Sequence, residues 1–500
     1  MKLLAILLLP LATSTAYVTS YAAVPPARQL QWLRELTVDL CDDQTPWDGQ
    51  QVAQAHELTY AWSHVRRPNA HNAKTVEVLV QRLVKEKEAG NDLAHVTTED
   101  YNHVLEGWAR AGEGVAGAER CEQILEAMQQ QGGVVQPDLS SFKICLMAWK
   151  HAGSKESAVR SQRILERMIE LSQSGTNERV LPDSDCFDIV LQTWSRSGHE
   201  QAPQQTERLV GAMERLYKAT GVAMPRTTSF NAVLSAWAKS GRKGSADRAS
   251  NILAFMHILS RSKTYDVHPD VASYSTVMQA LAADSDQAVA AKKADGFVKY
   301  IETGYRINAE NKLVPDTILF NTAISCWARS NVSGAFRKAR SLLDRQSKLH
   351  RDYGLDSCRP DVYTYTSVIA TCAAEQEDQR RAFDVALQTY QELQRYTDGG
   401  ANHVSHGAML KACAKLLPAS SSLRRKWVRT IFETCRENGY VGEMVVSRLR
   451  EAASLDVYRE LMQGHSKRKL PSEWSRNVVE TNEYRKKSQR KSRNYKRAEV

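Results

Sequence analysis

Residues 229–270 read SFNAVLSAWAKSGRKGSADRASNILAFMHILSRSKTYDVHPD and predict two helices joined by a short loop. The first helix carries apolar residues spaced i, i+4 and i+7, which fall on one helical face: Phe230, Leu234 and Trp237. Gly241 follows, and glycine readily takes the left-handed conformation that ends a helix. The second helix has an apolar face that opens on a small residue: Ala249, Ile252, Leu253 and Met256. Pro269 cannot continue this helix, and Asp270 can cap the next one.

The same hairpin pattern recurs along most of the chain, with opening residues 41 to 46 positions apart. The triplets of the first helices are Tyr101/Leu105/Trp108, Phe142/Leu146/Trp149, Phe187/Leu191/Trp194, Phe230/Leu234/Trp237, Tyr274/Met278/Leu281, Phe320/Ile324/Trp327, Tyr365/Ile369/Cys372 and the degenerate His406/Leu410/Cys413. The second helices open on a small or short polar residue: Cys121, Ser161, Thr206, Ala249, Ala294 and Ala339. One hairpin buries one face, whereas stacked hairpins bury a continuous core. We therefore predict an all-α fold, a right-handed α-solenoid of tandem helical hairpins in units of about 44 residues.

Five segments follow from this pattern. Residues 1–45 are expected to form a targeting presequence, and residues 46–96 a divergent N-terminal hairpin. Residues 97–420 hold the repeat array, and residues 421–465 are predicted to be helices that cap its C-terminal end. Residues 466–500 are rich in Lys and Arg, and we expect them to form a basic, disordered tail.

The first residues have the plan of a signal sequence. Lys2 supplies the positive charge, residues 3–11 form an apolar run, and residues 12–16 offer small residues for cleavage. The apolar run is too short to cross a membrane as a helix. No acidic residue occurs before Glu35, and an acid-poor segment after a hydrophobic signal resembles the two-part presequence of plastids with additional membranes. We expect a plastid location, with the mitochondrion as the alternative.

Composition and motifs point away from an enzyme. The chain has 500 residues, a formal net charge of +10 and 42% hydrophobic residues, which is typical of a folded protein. Its nine cysteines include no C-x-x-C pair, so we expect reduced, buried thiols rather than a zinc site or disulfides. Residues 112–117, GEGVAG, match G-x-G-x-x-G but follow no strand. Metal-ligand spacings, a Walker loop and nucleophile motifs do not occur. We predict no catalytic residue, no metal and no cofactor.

The combined repeat pattern resembles the pentatricopeptide repeat family. The resemblance rests on segments such as SFNAVLSAWAKSG…ASNILAFM…HPD, DYNHVLEGWARAG…CEQILEAM…QPD and LFNTAISCWARS…PD, and it covers roughly residues 97 to 417. Tetratricopeptide repeats share the hairpin plan, but their W-x-x-L-G-x-x-Y opening does not occur here. The resemblance implies that single-stranded RNA lies along the concave face, one base per repeat. The units here are longer than the family's usual length of about 35 residues.

In this family the residue after the opening aromatic and the last residue of the repeat contact one base, and the two form a reading pair. The resemblance places the reading pairs at Asn102/Asp138, Lys143/Asp183, Asp188/Arg226, Asn231/Asp270, Ser275/Asp316, Asn321/Asp361 and Thr366/Asn402. By the family's pattern, Asn/Asp favours uracil, Thr/Asn adenine and Ser/Asp guanine. The second and third pairs match no common combination, and we expect them to contact no base or to form internal salt bridges. The implied RNA site is therefore 5′-U-x-x-U-G-U-A-3′.

Each reading residue also has a simpler structural interpretation. Asn or Ser near a helix start often caps it, and Asp after Pro is often a turn residue. The tryptophans are expected to pack in the core rather than to stack on bases. The family wedges bases with apolar side chains two positions before the opening aromatic, and Ile318 and Tyr363 are the two suitable residues here.

The expected function is sequence-specific binding of single-stranded organellar RNA, with effects on transcript stability, processing, splicing or translation. Other RNA-processing proteins are possible further partners, and we expect a monomer whose mature form contacts no membrane. Phosphate contact by the basic tail is an alternative to plain disorder. The alternative function is a protein-binding scaffold, which would show apolar anchors in place of short polar pairs.

Overall fold

The computed structural model describes residues 26–42, 45–65, 68–131, 135–262, 264–283, 286–307, 313–396, 400–465 and 470–478. These residues form 22 α-helices and two 3-10 turns, and none of them lies in a β-strand. The predicted all-α fold is therefore confirmed. The first 25 residues of the expected presequence and residues 479–500 of the expected tail lie outside the described residues.

The helices are numbered α1 to α22 in chain order. The first ten are α1 Pro26–Asp42, α2 Gly49–Ser63, α3 Ala70–Glu88, α4 Thr98–Arg110, α5 Val115–Gln131, α6 Leu139–Ala152, α7 Lys155–Gln173, α8 Ser184–Ser197, α9 Ala202–Thr220 and α10 Thr227–Ser240. The others are α11 Ser245–Ser260, α12 Val271–Ala282, α13 Gln287–Ile307, α14 Thr317–Arg329, α15 Ala335–Tyr353, α16 Val362–Cys372, α17 Gln379–Tyr396, α18 His403–Leu416, α19 Ser422–Glu437, α20 Glu443–Ala452, α21 Leu455–Met462 and α22 Ser472–Ser475. The 3-10 turns are Glu178–Val180 and Asp356–Cys358.

The helices fall into two compact units. The first unit comprises Met1–Ser240 and Met256–His268, and the second comprises Gly241–Phe255 and Pro269–Val500. In the first unit each helix from α1 to α10 packs on the next in sequence, and α2, α4, α6, α8 and α10 also pack on one another in that order. The second unit has the same plan from α12 to α20, with α12, α14, α16, α18 and α20 in contact in that order. Sequential packing of this kind is consistent with a repeat protein.

The recurring apolar positions form the core, as predicted. The opening aromatics Phe142, Phe187 and Phe320 are fully buried, and burying one such side chain stabilises the fold by roughly 2–3 kcal/mol. The residues that open the second helices are also fully buried: Cys121, Ser161, Thr206, Ala249, Ala294 and Ala339. Small side chains at these positions let the two backbones of a hairpin approach closely. The hairpins therefore hold together through the same positions that define the repeat.

Most first helices begin at a residue whose side chain accepts a hydrogen bond from the third backbone N–H after it. These capping residues are Asp138, Asp183, Asp270, Asp316, Asp361 and Asn402. Such a cap stabilises a helix by about 0.5–2 kcal/mol. Two of the same helices, α6 and α8, end at glycines in the left-handed conformation, Gly153 (φ 64°) and Gly198 (φ 65°). Helix boundaries are thus set by residues visible in the repeat pattern.

The C-terminal end of the second unit includes part of the predicted basic tail. The prediction placed residues 466–500 in one solvated segment, but residues 470–478 lie against α19. Trp474 is 9% exposed, and its ring centroid lies 6.0 Å from that of Phe432. Arg476 donates a hydrogen bond to the Glu437 carbonyl, and the Val441 N–H donates to the Trp474 carbonyl at 2.7 Å. The apolar tryptophan gives this short segment a side chain to bury. None of the described helices has the length and apolarity needed to cross a membrane.

Candidate functional site

The first member of each predicted reading pair lies in the second turn of a first helix, and the second member lies at the start of the next first helix. Neighbouring first helices pack side by side within a unit, which allows these two positions to meet. Four pairs are in direct contact: Asn102/Asp138, Lys143/Asp183, Asp188/Arg226 and Asn321/Asp361. The contacts are of two kinds, amide to carboxylate and cation to carboxylate.

Asn102 and Asp138 form an amide–carboxylate pair. Asn102 Nδ2 donates to Asp138 Oδ1 at 3.4 Å, and Asn102 Oδ1 accepts from Ser141 Oγ at 2.6 Å. The backbone N–H of Ser141 also donates to Asp138 Oδ1, at 2.8 Å. Among the described residues, Asp138 Oδ2 accepts no hydrogen bond. The pair therefore keeps one amide proton and one carboxylate oxygen for a ligand.

Asn321 and Asp361 repeat this arrangement in the second unit. Asn321 Nδ2 donates to Asp361 Oδ1 at the same distance of 3.4 Å, and that oxygen also accepts from the N–H and hydroxyl of Thr364 at 2.8 Å. Within the described part of the chain, Asp361 Oδ2 accepts no hydrogen bond and Asn321 Oδ1 has no partner. The two reading pairs thus share the Nδ2–Oδ1 contact and an unused Oδ2, and they differ at the asparagine oxygen, which accepts from Ser141 in the first pair only.

A cleft of about 450 Å³ opens beside Asn321. Ile318 and Tyr363, the two predicted wedge residues, line it and are 60% and 58% exposed. Ser325, on α14, also lines the cleft, with its Oγ 3.4 Å from the Tyr363 hydroxyl. Arg329 lies on the same wall. The cleft therefore offers two apolar surfaces, hydroxyl groups and a cation next to an amide–carboxylate pair.

Lys143 and Asp183 form a salt bridge. Lys143 Nζ lies 2.5 Å from Asp183 Oδ2 and 3.5 Å from Asp185 Oδ2. Burial alone would lower the pKa of Lys143, but the hydrogen bond and charge of Asp183 outweigh burial and raise that pKa. The lysine is thus held as a cation by carboxylates of its own chain.

Asp188 lies in a closed network. The residue is 5% exposed, and its carboxylate accepts from Arg226 Nη2 at 2.7 Å, Thr228 Oγ1 at 2.6 Å and Ser229 Oγ at 2.5 Å. Arg226 also donates to Asp185 at 2.7 Å. A base could reach Asp188 only after some of these bonds were broken. The predicted alternative for the second and third pairs, internal salt bridges, is what the structure contains.

The fourth pair divides between the two units, and the fifth pair is not joined by a described hydrogen bond. Asn231 belongs to the first unit, and Asp270 belongs to the second, where it caps α12. Ser275 is 5% exposed, and its hydroxyl has no partner among the described residues. Asp316 caps α14, and burial raises the pKa of its carboxyl group. No described hydrogen bond links Ser275 to Asp316.

The last pair, Thr366 and Asn402, is also not joined by a described hydrogen bond. The Thr366 hydroxyl donates to the Val362 carbonyl at 2.7 Å within its own helix. Asn402 caps α18 through the backbone N–H groups of Val404 and Ser405. Asn402 therefore has the capping role that the sequence left open, and the Thr366 hydroxyl is bonded within its own helix.

A set of cations near the ends of first helices was not predicted from the sequence. Three of them donate to a carbonyl at the end of the preceding first helix: Arg110 to Ser63 at 2.5 Å, Lys239 to Ser195 at 3.1 Å and Arg329 to Ala282 at 3.3 Å. With Arg196, each lies eight positions after the first residue of a reading pair. That spacing was available in the sequence. These four residues are the cation row.

Two cations of the first unit lie close enough to Arg196 to respond to its charge. Burial, and then the charge of Arg196, lower the pKa of Lys150 and of Lys239. A lowered lysine pKa means that the ammonium forms are destabilised where they stand. The charge of Arg196 is the smaller of the two causes, and it adds to the positive potential in this part of the first unit.

Residues that might suggest other chemistry have structural roles. The prediction that the repeat tryptophans pack in the core is confirmed for Trp149, Trp194 and Trp327, which are at most 5% exposed. Trp108 and Trp237 are only half-buried, and their indole N–H groups donate to Glu77 at 3.0 Å and Glu207 at 2.7 Å. The eight cysteines whose side chains are described are buried and unpaired, and burial raises the pKa of Cys121 and Cys372 to about 12. Such thiols are poor nucleophiles. Among the described residues, no group of His, Cys, Asp and Glu could hold a metal ion.

The first helices thus present unused amide and carboxylate groups, two exposed apolar side chains and a row of cations. Hydrogen-bonding groups, flat apolar surfaces and positive charge are what an unpaired nucleic-acid strand requires. No protein-family model and no curated protein matches this chain.

Proposed function

We propose that this chain is a pentatricopeptide-type right-handed α-solenoid that binds single-stranded RNA in an organelle. The observation that carries the proposal is the repeated amide–carboxylate contact between one first helix and the cap of the next. It occurs with the same Nδ2–Oδ1 distance of 3.4 Å at Asn102/Asp138 and at Asn321/Asp361. Recurrence at one register of the repeat, with groups left unused, is what a one-base-per-repeat contact needs.

The unused groups are complementary to uracil. The Watson–Crick edge of uracil offers an N3–H donor flanked by two carbonyl acceptors. An asparagine amide proton can be donated to one of these carbonyl oxygens, while Oδ2 of Asp138 or Asp361 accepts from N3–H. Cytosine has no proton on N3, so the same pair would leave a carboxylate oxygen facing a lone pair. The Asn/Asp pairs therefore favour uracil, in agreement with the pattern that the family resemblance implies.

The gaps in the proposed site 5′-U-x-x-U-G-U-A-3′ also have a physical reason. Lys143 and Asp183 neutralise one another, and Asp188 is saturated by Arg226, Thr228 and Ser229. Removing partners from a buried carboxylate costs several kcal/mol, more than one base contact returns. The RNA strand would pass along these two repeats without a base being selected by either of them.

Stacking and charge complete the proposed interface. Ile318 and Tyr363 line the cleft beside Asn321, so a base in the cleft would contact exposed apolar surface. Base–aromatic stacking is worth about 1–3 kcal/mol per base. The cation row would lie near the phosphates, which predicts affinity that falls with added salt. A protein bound along many nucleotides would shield that segment of the transcript from nucleases and from competing base pairing. Binding alone can thereby affect RNA stability, processing, splicing or translation.

The test is selection from a random single-stranded RNA pool with the full chain, at two salt concentrations, followed by sequencing. We expect enrichment of U-x-x-U-G-U-A at both salt concentrations. Binding that depends strongly on salt and enriches no motif would refute base reading. Absence of RNA binding would favour the protein-binding scaffold, which pull-down of partners from an organellar extract would then address.

A single substitution sharpens the test. Because Ser/Asp favours guanine in the family's pattern, Asn321→Ser is expected to change the sixth position of the motif from U to G. The matched control is Asn251→Ser, an exposed asparagine on the second helix α11. The control should leave the motif unchanged.

The plastid location is proposed from residues 1–45 alone. Fusion of this segment to a fluorescent protein should direct the fusion to plastids of a cell whose plastids have additional membranes. Import into mitochondria would support the alternative.

A further inference from the structure

The N-terminal hairpin, α2 and α3, is in register with the repeats that follow. Its first helix places Ala55, Thr59 and Trp62 at spacing i, i+4 and i+7, and all three are at most 1% exposed. Ala55 precedes Tyr101 by 46 residues, within the spacing of the other units. His56 therefore occupies the position of Asn102.

A contact across the hairpins confirms this register. His56 Nδ1 lies 2.6 Å from Asp100 Oδ1, and Asp100 is the third residue of α4. In the next repeat Asn102 contacts Ser141, which is the third residue of α6. The same two repeat positions are thus in contact in both repeats.

Three aromatic rings lie together next to this contact, two of them exposed and the third, His103, half-buried, and they form the aromatic platform: Tyr60, His64 and His103. The Tyr60 and His64 rings are stacked, with centroids 4.3 Å apart and planes 26° apart. The His103 ring meets Tyr60 edge-on at 5.4 Å. Tyr60 is 41% exposed and the His64 side chain 42% exposed. Tyr60 and His64 therefore keep part of their side-chain surface accessible to a ligand.

The position of Tyr60 within its repeat is informative. It lies four residues after His56, as Ser325 lies four after Asn321 and Gln279 four after Ser275. Ser325 and Gln279 both line the cleft beside Asn321. The N-terminal hairpin therefore has an exposed aromatic ring at the position where the other repeats line the candidate RNA cleft.

We infer that Tyr60, His64 and His103 stack on unpaired bases immediately 5′ of the seven-nucleotide site; this rests on the proposed function. Stacking uses the π-face common to all bases, so the platform selects no sequence. Glu106 lies 3.6 Å from His64 Nε2, and its negative charge makes a phosphate a poor ligand at this spot. Bases rather than phosphates are the groups that the platform contacts.

The experiment measures binding of the full chain to three RNAs labelled at the 3′ end, by fluorescence anisotropy. The first is UAAUGUA, the second carries three additional 5′ adenosines, and the third carries three additional 5′ abasic nucleotides. The adenosine extension is expected to tighten the Kd about tenfold or more, and the abasic extension, which adds only phosphates, is expected to add little.

Tyr60→Ala should abolish the gain from adenosines without changing the Kd for UAAUGUA, whereas Tyr60→Trp should keep it. The matched control is Tyr353→Ala, which removes a tyrosine of similar exposure from the second helix α15. Equal gains from adenosine and abasic extensions, or a full gain in Tyr60→Ala, would overturn the platform while leaving RNA binding intact. If wild-type protein binds none of the three RNAs, the proposed function fails and the platform fails with it.

Discussion

Replacing Lys143 with asparagine should convert a silent repeat into one that selects uracil. The substitution removes a 2.5 Å salt bridge between side chains that are 28% and 30% exposed, so the free energy of unfolding should fall by about 1 kcal/mol or less. Asp183 still accepts from the Cys186 N–H at 3.1 Å and continues to start α8. The variant would then contain the Asn/Asp combination seen at Asn102/Asp138.

A new pair of hydrogen bonds to a base edge should discriminate uracil by about 1–2 kcal/mol, or roughly tenfold in affinity. The assay is anisotropy with four RNAs that differ only at the second position of U-x-x-U-G-U-A. Wild type should bind all four equally, and Lys143→Asn should prefer uracil. The control is Lys143→Met, which removes the same charge without adding an amide and should bind all four RNAs equally. Equal binding of all four RNAs by Lys143→Asn, with preferences intact elsewhere, would refute base reading at this register.

Three other predictions concern the fold. Burial lowers the pKa of His406 from 6.5 to about 4, so as the pH falls the unfolded chain takes up this proton before the folded chain does. Acidification from pH 7 to pH 4 should therefore lower the free energy of unfolding by about 3 kcal/mol. Urea titrations at the two pH values should find a smaller loss in His406→Phe. Trp149→Ala should lower the free energy of unfolding by about 3–5 kcal/mol, whereas an effect as small as that of Tyr353→Ala would contradict the core assignment. The eight described thiols should react with iodoacetamide only after unfolding in guanidinium, and peptide mapping that finds Cys121 modified in the native chain would disprove its burial.

The sequence was sufficient to predict the helices, their pairing and much of the core, because these depend on local spacing. Phe142 and Trp149 lie on one helical face at i and i+7, and both are buried. Asp138 and Asp361 follow prolines and cap the next helix, as expected of that sequence. Such features need only a few neighbouring residues to be recognised.

Features that depend on distant residues were less predictable. Asp188 has the residue type of a base-contacting position, but Thr228 and Ser229, 40 and 41 residues later, occupy its carboxylate. The apolar triplet of helix α2 begins with Ala55 rather than with an aromatic residue. The register of this helix within the repeat therefore becomes clear only from the contact of His56 with Asp100.

The double role of the capping residues has a consequence for how such a protein could change its target. The second residue of a reading pair starts a helix, so replacing it risks the hairpin as well as the base contact. The first residue has no such duty. Along this chain the first positions are Asn, Lys, Asp, Asn, Ser, Asn and Thr, whereas the second are Asp in five of seven pairs. Under the proposed function, drift toward new RNA targets should therefore proceed through the first position, while the conserved role of the cap keeps each intermediate able to fold.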